Sequence, residues 1–431
     1  MKFLIGLAAP IACGATAFAD VRIVSINAPG AFPTIQSAID ASVDGDVVVI
    51  EPGVYSAFSI TAKSLHVGRR SASGTVIVNG ASQVVGLPLG GVVSLSHLSF
   101  SSSDASPALS ISNCADAVRL QQCVFATSIA MGAHGVVVTN SSNVVLSAVT
   151  SSGANGKGGA QQLPWGVVGT SQTGGAALLF EASSAALYQT SATGGTAGTA
   201  QSWVYGRTGR GGPGCWLRGG SVFAAGSSFL GGDGGDSQLP SQVCNQSSWF
   251  GDTLGRGGPG VTGEAPAPFQ WRVVAGSLQP GQGGTSNCSW NSPEVPPASA
   301  FHRGPAGSTR ERVGDGLDRR MDLQSLIVAG SGALPATFSG RPGEHVRVLV
   351  SPAADFVWSP SLSGVLALSL PSALPMQSVG TVGSLGTLSA SIDAPVLPAG
   401  VANESWHVQP LFVDAFGTSR LGTPYCVTRV E

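Results

Sequence analysis

Charged side chains are scarce in this chain. Asp, Glu, Lys and Arg make up 10% of its 431 residues and the net charge is −2, against about a quarter charged in an ordinary soluble domain. No basic patch can be assembled from Lys and Arg spread this thinly, which excludes the phosphate-neutralising surface of a nucleic-acid binder. No two cysteines are spaced C-x-x-C, which argues against a zinc site. Beyond the first twenty residues no stretch is long and apolar enough for a membrane helix. Low charge does not mean disorder here: 43% of residues are hydrophobic, with many Val, Ile and Leu in short alternating runs, and glycine reaches 61 residues. That combination predicts many short strands and many tight turns.

The N-terminus reads as an export signal over residues 1–19. Lys2 supplies the positive start, Phe3 to Ala12 an apolar core too short to span a bilayer, and Ala17-Phe18-Ala19 a small-x-small cleavage site. The mature chain is expected to start at Asp20 and to be secreted, at the cell surface or beyond. A rival reading, lipidation at Cys13, is poorly matched by Pro10-Ile11-Ala12. The mature chain is too long for one ordinary core unless it is a repeat fold or two domains. Six cysteines follow the leader: Cys114, Cys123, Cys215, Cys244, Cys288 and Cys426. An even number in an exported chain favours disulfides, although sequence does not fix their pairing. Cys244 with Cys288, in corresponding insertions, and Cys114 with Cys123, on neighbouring strands, are the candidates.

The strongest local signal follows the leader. Ile35, Ala38 and Ile39 recur at helical spacing behind Thr34 as N-cap. Asp44-Gly45 is a turn, Val47 to Ile50 a buried strand, and Pro52-Gly53 ends it. This segment, with Thr34-Ile35-Gln36, Gly45-Asp46 and Pro52-Gly53-Val54-Tyr55, resembles the start of right-handed β-helices of the pectin-lyase-like superfamily. The resemblance implies an all-β, right-handed parallel β-helix solenoid whose N-terminal helix covers the open end. It covers about 25 residues and implies little about activity, because enzymes and non-enzymes share the fold.

Short strand signals continue in pairs to about residue 274, separated by Ser, Asn, Asp and Gly. Four glycine-led insertions interrupt them, at residues 152–174, 194–214, 231–260 and 280 to about 293, each with one tryptophan: Trp165, Trp203, Trp249 and Trp290. Insertions at one point of successive repeats should protrude on one face. The expected organisation is a β-helix over 20–290, a linker over 291–325 with Pro and opposite charges, and a small antiparallel β-sandwich over 326–431.

Chemistry is hard to find. Pectin methylesterases of that superfamily carry a Glu two residues after the Pro-Gly-x-Tyr tyrosine, where this chain has Ala57. Their Gln-Asp-Thr-Leu segment is matched only by Gly251-Asp252-Thr253-Leu254, without the glutamine needed for oxyanion stabilisation. Ala133-His134-Gly135 lacks the paired acids of a polygalacturonase. Asp104, Asp116, Glu181, Asp233, Asp236, Asp252 and Glu264 do not recur at the coil period, so no column of metal-binding acids is implied. Gly231 to Asp236 fits most of one calcium nonapeptide, but such sites work as stacked copies, so a flexible glycine turn is expected. The scattered histidines suggest no triad. No catalytic residue, metal site or cofactor is therefore assigned. The expected function is non-catalytic binding of a polysaccharide or another surface component through Trp165, Trp203, Trp249 and Trp290, since exposed rings stack on sugars. The competing role for each ring is to anchor its own loop. The alternative function is a divergent polysaccharide lyase or hydrolase.

Overall fold

The computed structural model describes residues 19–70, 73–127, 132–163, 166–201, 205–238, 255–264, 267–285, 299–302, 304–323, 326–329, 333–393, 395, 397 and 401–431. Up to residue 312 the chain winds in coils of short parallel strands. Leu109–Ser112, Ala117–Gln121 and Val124–Thr127 form one coil, and Val136–Thr139, Asn143–Ser147 and Thr150–Ser152 the next. Each strand pairs in parallel with its equivalent one coil on: Leu109 with Val136, Ala117 with Asn143, Val124 with Thr150. The result is a parallel β-helix with three sheets along its length. The third sheet has eight strands, from Gly53–Ser56 to Ser277–Gln279. In later coils the strands of the first and second sheets fuse, as in Leu178–Tyr188 and Cys215–Ala225.

Alternation within each strand fills the interior. Leu109 and Ile111, or Val136 and Val138, point inward and are fully buried, while Ser110 and Val137 between them are not. Phe100 and Phe125 stack in the interior at 4.9 Å. Single residues with positive φ turn the corners. Asn113, Asn140 and Ala182 lead from the first sheet to the second, and His97, Gln122, Ala148 and Gln189 from the second to the third. A non-glycine residue there costs roughly 1–2 kcal/mol, which hydrogen bonds to the next coil offset: Asn113 N to Thr139 O, Gln122 N to Ser147 O.

The capping helix spans Ile35–Ala41. Thr34 is its N-cap, Ile35, Ala38 and Ile39 are its buried face, and Lys63 Nζ binds the carbonyls of Ile39 and Ser42 at its C-terminal end.

Two expectations need correction. Much of the segment read as a linker is one further coil: Phe301 and His302 pair with Val261 and Thr262, and Thr309–Arg312 pairs with the strand Phe269–Val274. Alternation is absent there because Thr309–Arg312 is exposed throughout, charged as an edge strand often is. The Cys114–Cys123 disulfide does not form. Both thiols are free and buried, as are those of Cys215 and Cys426. Cys114 takes the place that Ser141 and Ser183 take in later coils, and the Cys114 N–H donates to Ser141 Oγ as Ser141 N–H does to Ser183 Oγ. Cys114, Cys123 and Cys215 fill small interior positions, and burial pushes the Cys123 thiol up to about 12. Cys244 and Cys288 lie outside the described residues.

The C-terminal module is an antiparallel sandwich. One sheet joins Arg320–Leu323, Leu334–Ser339 and Thr387–Ile392; the other is built around His345–Ser351, Asn403–Val413 and Tyr425–Val430. Phe338 and Ile392 from the first meet Val348, Trp406 and Phe412 from the second. The module lies on the outer face of the β-helix's second sheet. Val145, Ala186, Tyr188 and Phe223 pack against Val365 and Ala367, Tyr188 OH donates to Val365 O, and Gln121 bonds both Cys426 N and Cys426 O.

Candidate functional site

All four insertions leave the solenoid after a third-sheet strand and return to a first-sheet strand. Their stems are extended segments that stack in two layers. The outgoing layer is formed by residues 152–157, 193–198, 230–235 and 279–284, the returning layer by 171–176, 208–213 and 255–260. Within the outgoing layer the hydrogen bonds recur every third residue: Gly153 N and Gly156 N donate to Thr193 O and Thr196 O, and Gly194 N and Ala197 N to Leu230 O and Asp233 O. A three-residue repeat without internal hydrogen bonds is the signature of polyproline II, in which each segment can bond to neighbours on several sides.

A continuous spine of hydrogen bonds joins the layers. Gly281 N donates to Gly258 O, Gly258 N to Gly232 O, Gly232 N to Gly212 O, and so on through Gly195, Gly175 and Ala154 to Ala133 O. Every link from Gly281 to Ala133 measures 2.7–2.9 Å. The closeness dictates the sequence: a methyl group on Gly195, Gly212, Gly232 or Gly258 would overlap the backbone of the neighbouring segment. The Gly231–Asp236 run is therefore not a flexible turn but part of the outgoing layer. Asp233 Oδ1 accepts from Gln282 N and Asp236 Oδ1 from Thr285 N, both at 2.7 Å, and Asn155 Oδ1 accepts from Thr196 N at 2.9 Å. Short polar side chains thus bind the outgoing segments to one another at their exposed edge.

Beyond the stems, Gly158–Leu163 pairs antiparallel with Gly166–Ser171, and Val168 to Thr170 pairs in parallel with Tyr205–Arg207. Trp165, Trp203, Trp249 and Trp290, the predicted stacking residues, lie outside the described residues.

The returning layer carries residues the sequence reading missed. Arg210 and Arg256 are exposed on adjacent segments, joined by Gly211 N to Arg256 O at 2.9 Å. On the first-sheet strand that follows, Trp216 is half-buried under the Arg218 guanidinium, 4.4 Å from the ring centre, with His134 edge-on at 5.9 Å. Arg218 also pairs with Glu264 at 3.6 Å. The signal was present as an exact repeat, Gly-Arg-Gly-Gly-Pro-Gly at 209–214 and at 255–260.

Among the described residues, one cluster of titratable groups lies buried between solenoid and sandwich. His66 Nδ1 is 3.8 Å from Cys426 Sγ, a nucleophile–base distance at first sight. Both are buried between solenoid and sandwich; burial lowers His66 to about 4 and raises Cys426 to about 12, so imidazole and thiol are both neutral. His407, buried in the same interface, is lowered well below its ordinary value by burial, with Arg119 and His66 contributing. Arg119 itself has no carboxylate partner among the described residues; Asn143 Oδ1 and the carbonyls of Asn143 and Asp355 hold it, and burial lowers it to about 10. Among the described residues no three His, Cys, Asp or Glu side chains converge as a metal site would require. No helix among them is long and apolar enough to cross a membrane.

Neither a family model nor a curated protein matches the chain. Among solved structures, it is similar to the enzymatically active domain of tailspike protein 4 of bacteriophage CBA120, with 10% identity and a TM-score of 0.16, over 90% of this chain and 64% of that one. The chain thus spans just under two thirds of that structure. A likeness this low transfers no activity, and the fold rests on the strand register described above.

Proposed function

We propose that this is an exported, non-catalytic binding protein of the pectin-lyase-like type, which meets a polysaccharide or another surface component at the ends of its four insertions. The glycine spine carries the reading. Loops that served only as connections would not need stems packed so closely that glycine is obligatory, whereas a binding surface gains affinity when its parts are held in place before the ligand arrives. The dispersal of carboxylates among the described residues supports binding without turnover. The exposed Arg210 and Arg256, on adjacent segments, favour a ligand with some negative charge, because guanidiniums suit carboxylate or sulfate groups.

The test is a glycan array run beside a turnover assay on acidic and neutral polysaccharides. Retention of a glycan with no new reducing end and no unsaturated product is expected. Replacing Trp165, Trp203, Trp249 or Trp290 singly by Ala should weaken retention by roughly 0.5–1.5 kcal/mol each, and combining them should abolish it. Turnover of any polymer would give the protein to the lyase or hydrolase reading; unchanged retention in the combined variant would remove the tryptophans from the site.

A further inference from the structure

We infer that the chain is cut between Ala19 and Asp20, and that the amino group released there forms an ion pair with the buried carboxylate of Asp46. The cut rests on the export reading; the ion pair can be tested without it.

Asp20 lies immediately before the first described strand. Asp20 O accepts from Val47 N at 2.9 Å and from Asn403 Nδ2 at 3.4 Å, and the first strand, Val21–Val24, follows directly. Asp20 N itself points inward and donates to Asp46 Oδ1 at 2.6 Å. Asp46 has no exposed surface. Its other oxygen accepts from Val43 N at 3.1 Å. The nearest cation, Arg22, approaches Asp46 only through Nε at 3.5 Å, while its Nη2 pairs with the carboxylate of Asp20 at 3.0 Å. This fully buried carboxylate is met by two backbone N–H groups and by one guanidinium that it shares with Asp20, so a full positive charge at Asp20 N would pair it more completely.

An amide N–H at Asp20 supplies a dipole; a free amino terminus at the same atom supplies a full positive charge and a charge-assisted hydrogen bond. Ala17-Phe18-Ala19 ends at this atom. Hydrolysis of the Ala19–Asp20 peptide bond by a leader-removing peptidase places the water oxygen on the Ala19 carboxyl group. The Asp20 nitrogen gains one proton from that water and one more from solvent, becoming an ammonium. Cleavage during export precedes folding, so burial of Asp46 does not hinder the peptidase. The processed chain then folds with its new terminus on Asp46, beneath the capped end of the solenoid.

The full chain from Asp20 onward, released from a removable tag, is compared with the same chain retaining Ala19 and with an Nα-acetylated form. The free Asp20 terminus should melt a few degrees higher than either, and Asp46→Asn should erase the gap. Equal melting temperatures, or a gap that survives Asp46→Asn, would overturn the ion pair. Should Asp46→Asn fail to fold, acylation kinetics on the unmutated protein decide. The folded Asp20 amine should react about tenfold or more slowly than in denaturant, as expected for an amine held in a charge-assisted pair with a buried carboxylate, and equal rates refute the pair. Intact-mass analysis of the exported protein should find Asp20 first. Another starting residue overturns the cut, and a leader retained inside the cell defeats the export reading itself.

Discussion

Before residue 150 glycine is used for its backbone freedom, as at Gly86, which turns the corner from the first sheet to the second with a φ of +69° and open space where a side chain would go, and the turns between third and first sheets are short. After residue 150 the same turns become long insertions, and their central glycines have ordinary φ but no space at all. The first kind tolerates a methyl group at the cost of strain; the second does not tolerate it without separating two segments. Glycine content alone therefore says nothing about flexibility, and here the richest region is among the most closely packed.

Breaking each half at its weakest point gives the largest effects. Ile35→Asp or Ile39→Asp should each prevent soluble expression, since both side chains are almost fully buried under the cap and a lone buried charge costs several kcal/mol; soluble yield is the measurement. Gly232→Ala should destabilise the protein by about 2–4 kcal/mol through overpacking and loss of spine bonds, whereas Gly86→Ala should cost only about 1–2 kcal/mol of left-handed strain. Chemical denaturation compares them, and equal costs would erase the distinction between the halves.

Acid should reveal a third behaviour, in the interface between solenoid and module. His66 is held at about 4 when folded and returns towards 6.5 when unfolded. The unfolded state therefore binds its proton first. The contribution is unchanged above about pH 6.5 and is lost progressively as pH falls towards 4, by about 3 kcal/mol. A His66→Gln variant should show a flatter stability profile across that window; an unaltered slope would place the sensitivity elsewhere. The smallest effect is expected at the edge of the outgoing layer. Asp233→Ala removes the acceptor for Gln282 N and should cost about 1 kcal/mol, seen as faster hydrogen exchange at Gln282 while the first-half strands remain protected.

How legible each part was follows from the same physics. The cap was readable residue by residue, because Thr34, Ile35, Ala38 and Ile39 obey helical spacing. Alternation gave the solenoid strands, and glycine runs marked where the insertions leave. What those runs build was hidden: contact between backbones leaves no side-chain pattern beyond the glycines themselves, so Gly231–Asp236 reads as a loop. Nothing in the local sequence marks Arg119, Gln121 and Ser147 as buried, because the polar partners that cover them arrive from far along the chain. The cysteines misled because export suggests pairing, whereas Cys114 simply stands where the next coil has a serine.

The docked module also has a consequence in time. Gln121 bonds Cys426 across 305 residues and His66 meets it across 360. During vectorial synthesis the early coils can wind as they emerge, since each needs only its neighbour. Their second-sheet face is covered only later, in part by Val365 and Ala367 and in part by the strand that carries Cys426. Contacts of such long sequence separation form slowly, so this interface closes late, and a chain truncated before Cys426 would leave Gln121 and His66 without that partner.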